Sequence, residues 1–260
     1  LIISTSGRYE FRNKGIDVFI DAMNRLRFDE RLNKKVVAFI DVPAWVGNAR
    51  EDLAERLKAK ANITFDTPLH WPMLTHWLHN MDQDKALSMM RSLDFANNKQ
   101  DKVKIIFVPC YLNGNDGIFN MPYYDLILGN DLCVYPSYYE PWGYTPLEAV
   151  AFSIPCITTD LAGFGIWAQH VLAGEKAENS LENGVKIVHR TDYNYHEVAD
   201  EIKNAVTNYA LLAKTQVTKA REKAKSLSKK ALWKKFIAYY EDAYDLALRK
   251  AEERKKQEKK

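Results

Sequence analysis

The chain has 260 residues, 47% hydrophobic and 27% charged, enough for one large domain or two small ones with a sizeable core. That balance excludes a disordered chain, a collagen-like fibre and a disulfide-dense miniprotein. The formal charge is +3, of which residues 249–260 alone carry +4, leaving a near-neutral body at −1 with no basic face to meet nucleic acid.

No apolar run approaches the length of a membrane span, and residues 1–6 turn polar too soon for a signal-peptide core. There is no initiating Met, and the sequence reads as a piece of a longer protein. Cys110, Cys133 and Cys156 are odd in number and lack a C-x-x-C spacing. They read as buried free thiols in a reducing compartment, which points to the cytoplasm.

In chain order, strand-like apolar runs are expected at Leu1–Thr5, Lys35–Ile40, Val103–Val108, Leu132–Tyr135, Cys156–Thr159 and Gly184–Val188. Amphipathic stretches lie between them at Ile16–Leu26, Glu51–Lys60, Tyr123–Leu128 and Thr145–Phe152. Nearly continuous apolar strands alternating with helices predict a doubly wound parallel α/β sheet of Rossmann type. After about residue 195 only helical patterns remain. The expected division is therefore a Rossmann-like domain over 1–195 and a helical extension with a basic tail over 196–260. The last helix carries an apolar stripe from Trp233 to Leu248 that must pack on something: the sheet domain, or a domain outside this sequence.

Ligands of such sheets sit at the carboxyl ends of the strands. The first such loop, Gly7–Gly15, holds Arg8, a planar fork of donors, and Lys14, a compact point charge, a pair suited to a diphosphate. The loop Pro136–Glu148 is too rich in Pro, Gly and aromatics for periodic structure. Thr145, Pro146 and Glu148 read as N-cap, N1 and N3 of a helix, so Glu148 has a structural role open to it in a capping box. Glu140 has none and is the better candidate for chemistry.

Three other patterns are weaker. Asp82-Gln83-Asp84 matches a metal-holding D-x-D but reads more simply as a helix start. His70, His76 and His79 cluster with no cysteine or acid at zinc-ligand spacing other than the Asp82 region. Gly163–Ala168 satisfies G-x-G-x-x-A, but after a late strand and without the acid that dinucleotide binding needs.

The words SGRYEFRNKG (Ser6–Gly15), VVAFI-x-x-PA (Val36–Ala44), HNM (His79–Met81), DKVKIIF (Asp101–Phe107), PSYYEPWGYTP-x-E (Pro136–Glu148) and LAGFG (Leu161–Gly165) resemble the C-terminal half of animal and fungal glycogen synthases. These are retaining glycosyltransferases of the two-Rossmann-domain (GT-B) fold. The resemblance implies transfer of glucose from UDP-glucose to the 4-hydroxyl of an α-1,4-glucan, with no cofactor and no metal. Arg8, Lys14 and Glu140 would be catalytic: the two cations clasp the diphosphate, and Glu140 holds the glucose with Trp142 and Gly143. Tyr111 and Tyr123 would flank the uracil, Tyr144 and Thr145 bind the phosphates, and Glu148 hold the ribose. The implied partners are a nucleotide sugar and, through an N-terminal domain outside this sequence, a glucan acceptor. A fragment of this kind is expected to be inactive alone; a homo-oligomer of the full-length protein stays open. Where the resembling family has an arginine cluster that binds glucose 6-phosphate, Asn208–Arg221 holds a single arginine. A GT-B enzyme of the sucrose- or trehalose-synthase type, a non-catalytic nucleotide-binding module, and adenine in place of uracil stay open.

Overall fold

The computed structural model describes residues 1–60 and 63–257. Its elements alternate as β1 (Ile2–Ser6), α1 (Ile16–Arg27), β2 (Val36–Asp41), β3 (Val46–Ala49), α2 (Glu51–Lys58), β4 (His76–Leu78), α3 (Lys85–Ser92), β5 (Val103–Val108), α4 (Tyr123–Ile127), β6 (Leu132–Val134), α5 (Tyr144–Ala151), β7 (Cys156–Thr159), α6 (Gly163–Gly174) and β8 (Val185–Val188). Three helices close the described chain: α7 (Tyr195–Leu211), α8 (Lys214–Ser228) and α9 (Trp233–Gln257).

Six strands form one parallel sheet in the order β5-β2-β1-β6-β7-β8. The chain builds outward from β1 on one side, then returns to β1's other edge with β6. The gap between β1 and β6 is thus the switch point at which an open sheet leaves a crevice. All six predicted strands are present. β1 and β2 run one residue further than their apolar runs, to the buried polar residues Ser6 and Asp41. A small antiparallel pair, β3 with β4, was not visible as a pattern.

Successive strand residues point to opposite faces. Leu132, Val134, Ile157 and Val188 enter one cluster with helices α1, α3 and α7; Cys133, Tyr135, Cys156 and Ile187 enter a second with α5, α6 and α8. The three cysteines are free and buried. The expected boundary at residue 195 does not separate two cores. Val198, Ala199, Ile202 and Val206 of α7 lie in the same cluster as α1, and Ala224 and Leu227 of α8 in the cluster of α5 and α6. The sheet needs these helices because both its faces are apolar. Of these three closing helices α9 is the exception: none of its residues is buried, Phe236 meets the rings of Trp142 and Trp167, and Trp233, Tyr239, Tyr240, Tyr244 and Leu248 are exposed. Among the described residues no helix is long and apolar enough to cross a membrane.

Candidate functional site

The loop after β1 is held by its aromatics and offers its charges. Tyr9 donates to Asp84 Oδ2 at 2.6 Å and stacks near Phe107, while Phe11 packs on the core. Arg8 is left outside, 3.1 Å from Glu10. Asp84, the second acid of the D-x-D pattern, is the N-cap of α3: its Oδ1 accepts the Leu87 amide at 2.8 Å. Both oxygens are therefore spent on structure. Gly15 has φ +67°, and a Cβ there would collide with the Pro136 carbonyl, so only glycine lets this loop lie against the next one.

That next loop follows β6. The Tyr138 amide donates to Asn13 O at 2.6 Å, and the buried Arg190 donates to the Pro136 carbonyl while lying over the Tyr138 ring. Further on, the Gly163 amide donates to Glu140 O at 3.0 Å and Phe164 to Trp142 O at 2.6 Å. Gly163 of the G-x-G-x-x-A pattern allows this approach, since a Cβ there would strike the Pro141 carbonyl, while Gly165 lets α6 lie against the Thr159 carbonyl of β7. Both loops are thus tied to each other and, through the second, to the start of α6. They bring Lys14 Nζ directly onto Glu140 Oε2, with only 15% and 20% of the two side chains exposed.

Helix α5 begins earlier than its sequence suggests. Gly143, at φ +103°, is the N-cap, and neither Thr145 nor Glu148 makes a capping hydrogen bond. The capping-box reading is therefore wrong, because glycine in the left-handed region turns the chain into the helix two residues before Thr145. The free amides of the first turn belong to Tyr144 and Thr145, since Pro146 has none. Glu148 instead accepts the Tyr124 phenol at 2.8 Å. Trp142 turns away from the cleft: its ring packs against Phe164, Trp167 and Phe236, so what it can offer a ligand is backbone.

Beside these loops lies a pocket of about 290 Å³ whose walls include Ser6, Gly7, Asp41, Tyr111, Tyr123 and Thr145. The hydroxyls of Ser6 and Tyr123 share a 2.7 Å hydrogen bond. Burial pushes the Tyr123 phenol above its ordinary range. Tyr111 is 76% exposed, so packing does not account for it. Sequence reasoning missed Asp41 and Arg190. A lone acid closing an apolar strand at the ligand edge was the available signal for Asp41; Arg190 had none.

His76 acquires neighbours that its sequence spacing hid. Its ligand atom, the Cys110 thiol and the Asp116 carboxylate lie within 4.8 Å of one another. Their chemistry argues against a metal. His76 Nδ1 meets Thr75 Oγ1 at 2.9 Å, and Nε2 meets the Asp116 carbonyl at 2.8 Å. The Asp116 carboxylate accepts the amides of Ile118, Phe119 and Asn120. Burial pushes the Cys110 thiol up to about 12, away from the thiolate a metal needs. The group anchors the loop that carries Tyr111.

A family model described as glycogen synthase matches residues 1–67 and 63–260. The chain belongs to the glycogen synthase family. It is 30% identical over 307 residues to the glycogen (starch) synthase of Neurospora crassa, covering 96% of this chain and 42% of that protein. It is 29% identical over 301 residues to the liver enzyme of Rattus norvegicus, covering 96% and 42%. Isoform 2 of Saccharomyces cerevisiae is 28% identical over 305 residues, covering 94% and 42%. The chain thus spans less than half the length of these glycogen synthases. Among solved structures, WaaG, a glycosyltransferase involved in lipopolysaccharide biosynthesis, superposes with TM-score 0.46 at 14% identity, covering 87% of this chain and 42% of that one. The two long words that carry the glycogen synthase resemblance, Ser6–Gly15 and Pro136–Glu148, fall on the two loops that meet at Lys14 and Glu140.

Proposed function

We propose that this chain is the donor-binding half of a retaining glycogen synthase, which transfers glucose from UDP-glucose to the 4-hydroxyl of an α-1,4-glucan without a metal ion. The observation that carries the reading is the Lys14–Glu140 ion pair. It lies at the sheet's switch point, with Arg8 and the first turn of α5 beside it and the Tyr111/Tyr123 pocket in the same edge.

In this reading the nucleotide base enters the tyrosine pocket. The diphosphate reaches Arg8, Lys14 and the amides of Tyr144 and Thr145, which supply positive potential without a metal. When the bond from glucose C1 to the phosphate oxygen breaks, the electron pair leaves with the UDP, and Arg8 and Lys14 stabilise it. The acceptor hydroxyl then bonds to C1 from the same face, its proton passing to the departing phosphate oxygen of the UDP. Glu140 touches Lys14, so the carboxylate lies where the diphosphate joins the sugar, placed to accept glucose hydroxyls. In the free chain each cation already has an acid, Arg8 with Glu10 and Lys14 with Glu140. An incoming diphosphate exchanges these partners for its own oxygens. Glu148, paired with Tyr124, would accept ribose hydroxyls, and the glucan would bind a domain outside this sequence. The cytoplasm, where such a donor is used, is the compartment this reading implies.

The test is calorimetric titration of the chain with UDP, UDP-glucose, ADP and NAD, with and without Mg²⁺ or Mn²⁺. UDP and UDP-glucose should bind without metal, and Arg8→Ala should weaken both by at least about tenfold, the worth of one charge-assisted hydrogen bond. Binding only with metal, or preference for ADP or NAD, would refute it.

A further inference from the structure

Asp41 ends β2, level with Ser6 of β1 and Val108 of β5, at the floor of the Tyr111/Tyr123 pocket. It is 8% exposed, and its Oδ1 is sealed from solvent with no hydrogen-bond partner among the described residues. A buried, unpartnered carboxyl is costly, and a β-branched apolar residue would suit this strand position better. Its neighbours do not relieve it: Ser6 and Tyr123 satisfy each other. Burial raises its pKa to about 7, and no cation among the described residues opposes it. The group is therefore held close to the point where it is shared between a neutral carboxyl and a carboxylate.

We propose that Asp41 reads the nucleobase of the donor, its carboxyl group exchanging hydrogen bonds with a ring N–H and the adjoining carbonyl of a base seated against Tyr111 and Tyr123. The inference rests on the donor-site reading above and adds a recognition group to it. The phosphates are excluded as its partner because an acid would repel them, and they have Arg8 and Lys14. The ribose has an acid of its own in Glu148, which stands outside this pocket. A neutral carboxyl offers one donor and one acceptor side by side, which is the complement of the N3–H and C4 carbonyl of uracil. A ligand that fills these positions would partner the carboxyl that the free chain leaves bare.

The experiment is calorimetry on the chain and its Asp41→Val, Asp41→Asn and Arg8→Ala variants, with UDP, N3-methyl-UDP and inorganic pyrophosphate. Asp41→Val should weaken UDP by about tenfold or more and leave pyrophosphate unchanged. N3-methyl-UDP should bind the unaltered chain as weakly as UDP binds Asp41→Val, and should lose nothing further in that variant. Asp41→Asn keeps a donor beside an acceptor and should stay within about threefold of the unaltered chain. Both variants remove a buried acid, so melting temperatures at or above that of the unaltered chain show that each is folded. Undiminished UDP binding by Asp41→Val, or equal losses of UDP and N3-methyl-UDP on that substitution, would overturn the inference while Arg8→Ala still supported the donor site. Failure of the unaltered chain to bind UDP, or indifference to Arg8→Ala, would overturn the donor site itself.

Discussion

Replacing Asp41 by Asn should change how the ligand-free chain's stability depends on pH. The carboxyl has an ordinary pKa of 3.8 when exposed and about 7 in the fold. A folded-state pKa raised for an acid means that the native chain holds its proton longer than the unfolded chain. The fold is therefore not penalised below about 3.8, is penalised progressively as pH rises, and bears the full cost above about 7. That full cost is roughly 4 kcal/mol, of which about 2.5 kcal/mol accrues between pH 5 and pH 8. The groups facing the carboxyl are Cys110 and Tyr123, with Cys133 behind; burial raises the pKa of all three, so none adds a charge across this interval. Urea unfolding followed by tryptophan fluorescence, at half-unit steps from pH 5 to pH 8, measures the difference directly. The Asp41→Asn chain should gain on the original by about 2.5 kcal/mol from the acid end to the alkaline end. Parallel curves would show that the carboxyl is solvated or paired in solution, and the reasoning would fail.

Arg50 should be a pillar of the region before β4. It is fully buried, donates to the carbonyls of His70 and Trp71 at 2.5 Å and of Leu74 at 3.0 Å, and pairs with Asp52. Arg50→Met leaves these acceptors bare and should cost about 3–5 kcal/mol in urea unfolding. Glu140→Gln frees Lys14 from its carboxylate and should tighten UDP by about threefold while nearly abolishing transfer by the full-length enzyme; calorimetry and turnover decide it. Glucose 6-phosphate should not stimulate that enzyme in a radiolabelled-glucose transfer assay. The one arginine in 208–221, Arg221, is spent on the Asn130 carbonyl and Asp131, and lysines lack the bidentate fork.

The parallel sheet was legible because both its faces are covered, which forces continuous apolar runs such as Val103–Val108 and Cys156–Thr159. The two loops were legible because their glycines, prolines and charges fit no periodic element. What escaped was polar residues at the ends of apolar strands. Hydrophobicity stops β1 at Thr5 and β2 at Ile40, yet both continue one residue, to Ser6 and Asp41 in the pocket. The start of α5 also escaped. Thr-Pro-x-Glu has the composition of a capped start, but Gly143 reaches the left-handed region at less cost and moves the start upstream. The His76, Cys110 and Asp116 group was invisible for another reason: it joins β4 to the loop after β5, and nothing local encodes that contact.

The rigidity of the cleft has an unequal source on its two sides. Tyr9 and Phe11 fasten the Arg8–Lys14 loop into the main core. The Glu140 loop rests partly on Trp142, whose ring sits among Phe164, Trp167 and Phe236. Phe236 belongs to α9, a helix with no buried residue. One half of the Lys14–Glu140 pair is thus set by the sheet domain alone. The other half is braced by a helix whose remaining aromatics, Trp233, Tyr239, Tyr240 and Tyr244, are exposed. Burial of such side chains would gain free energy in proportion to their apolar area. The packing behind Trp142, two residues from Glu140, therefore rests in part on Phe236 of this exposed helix.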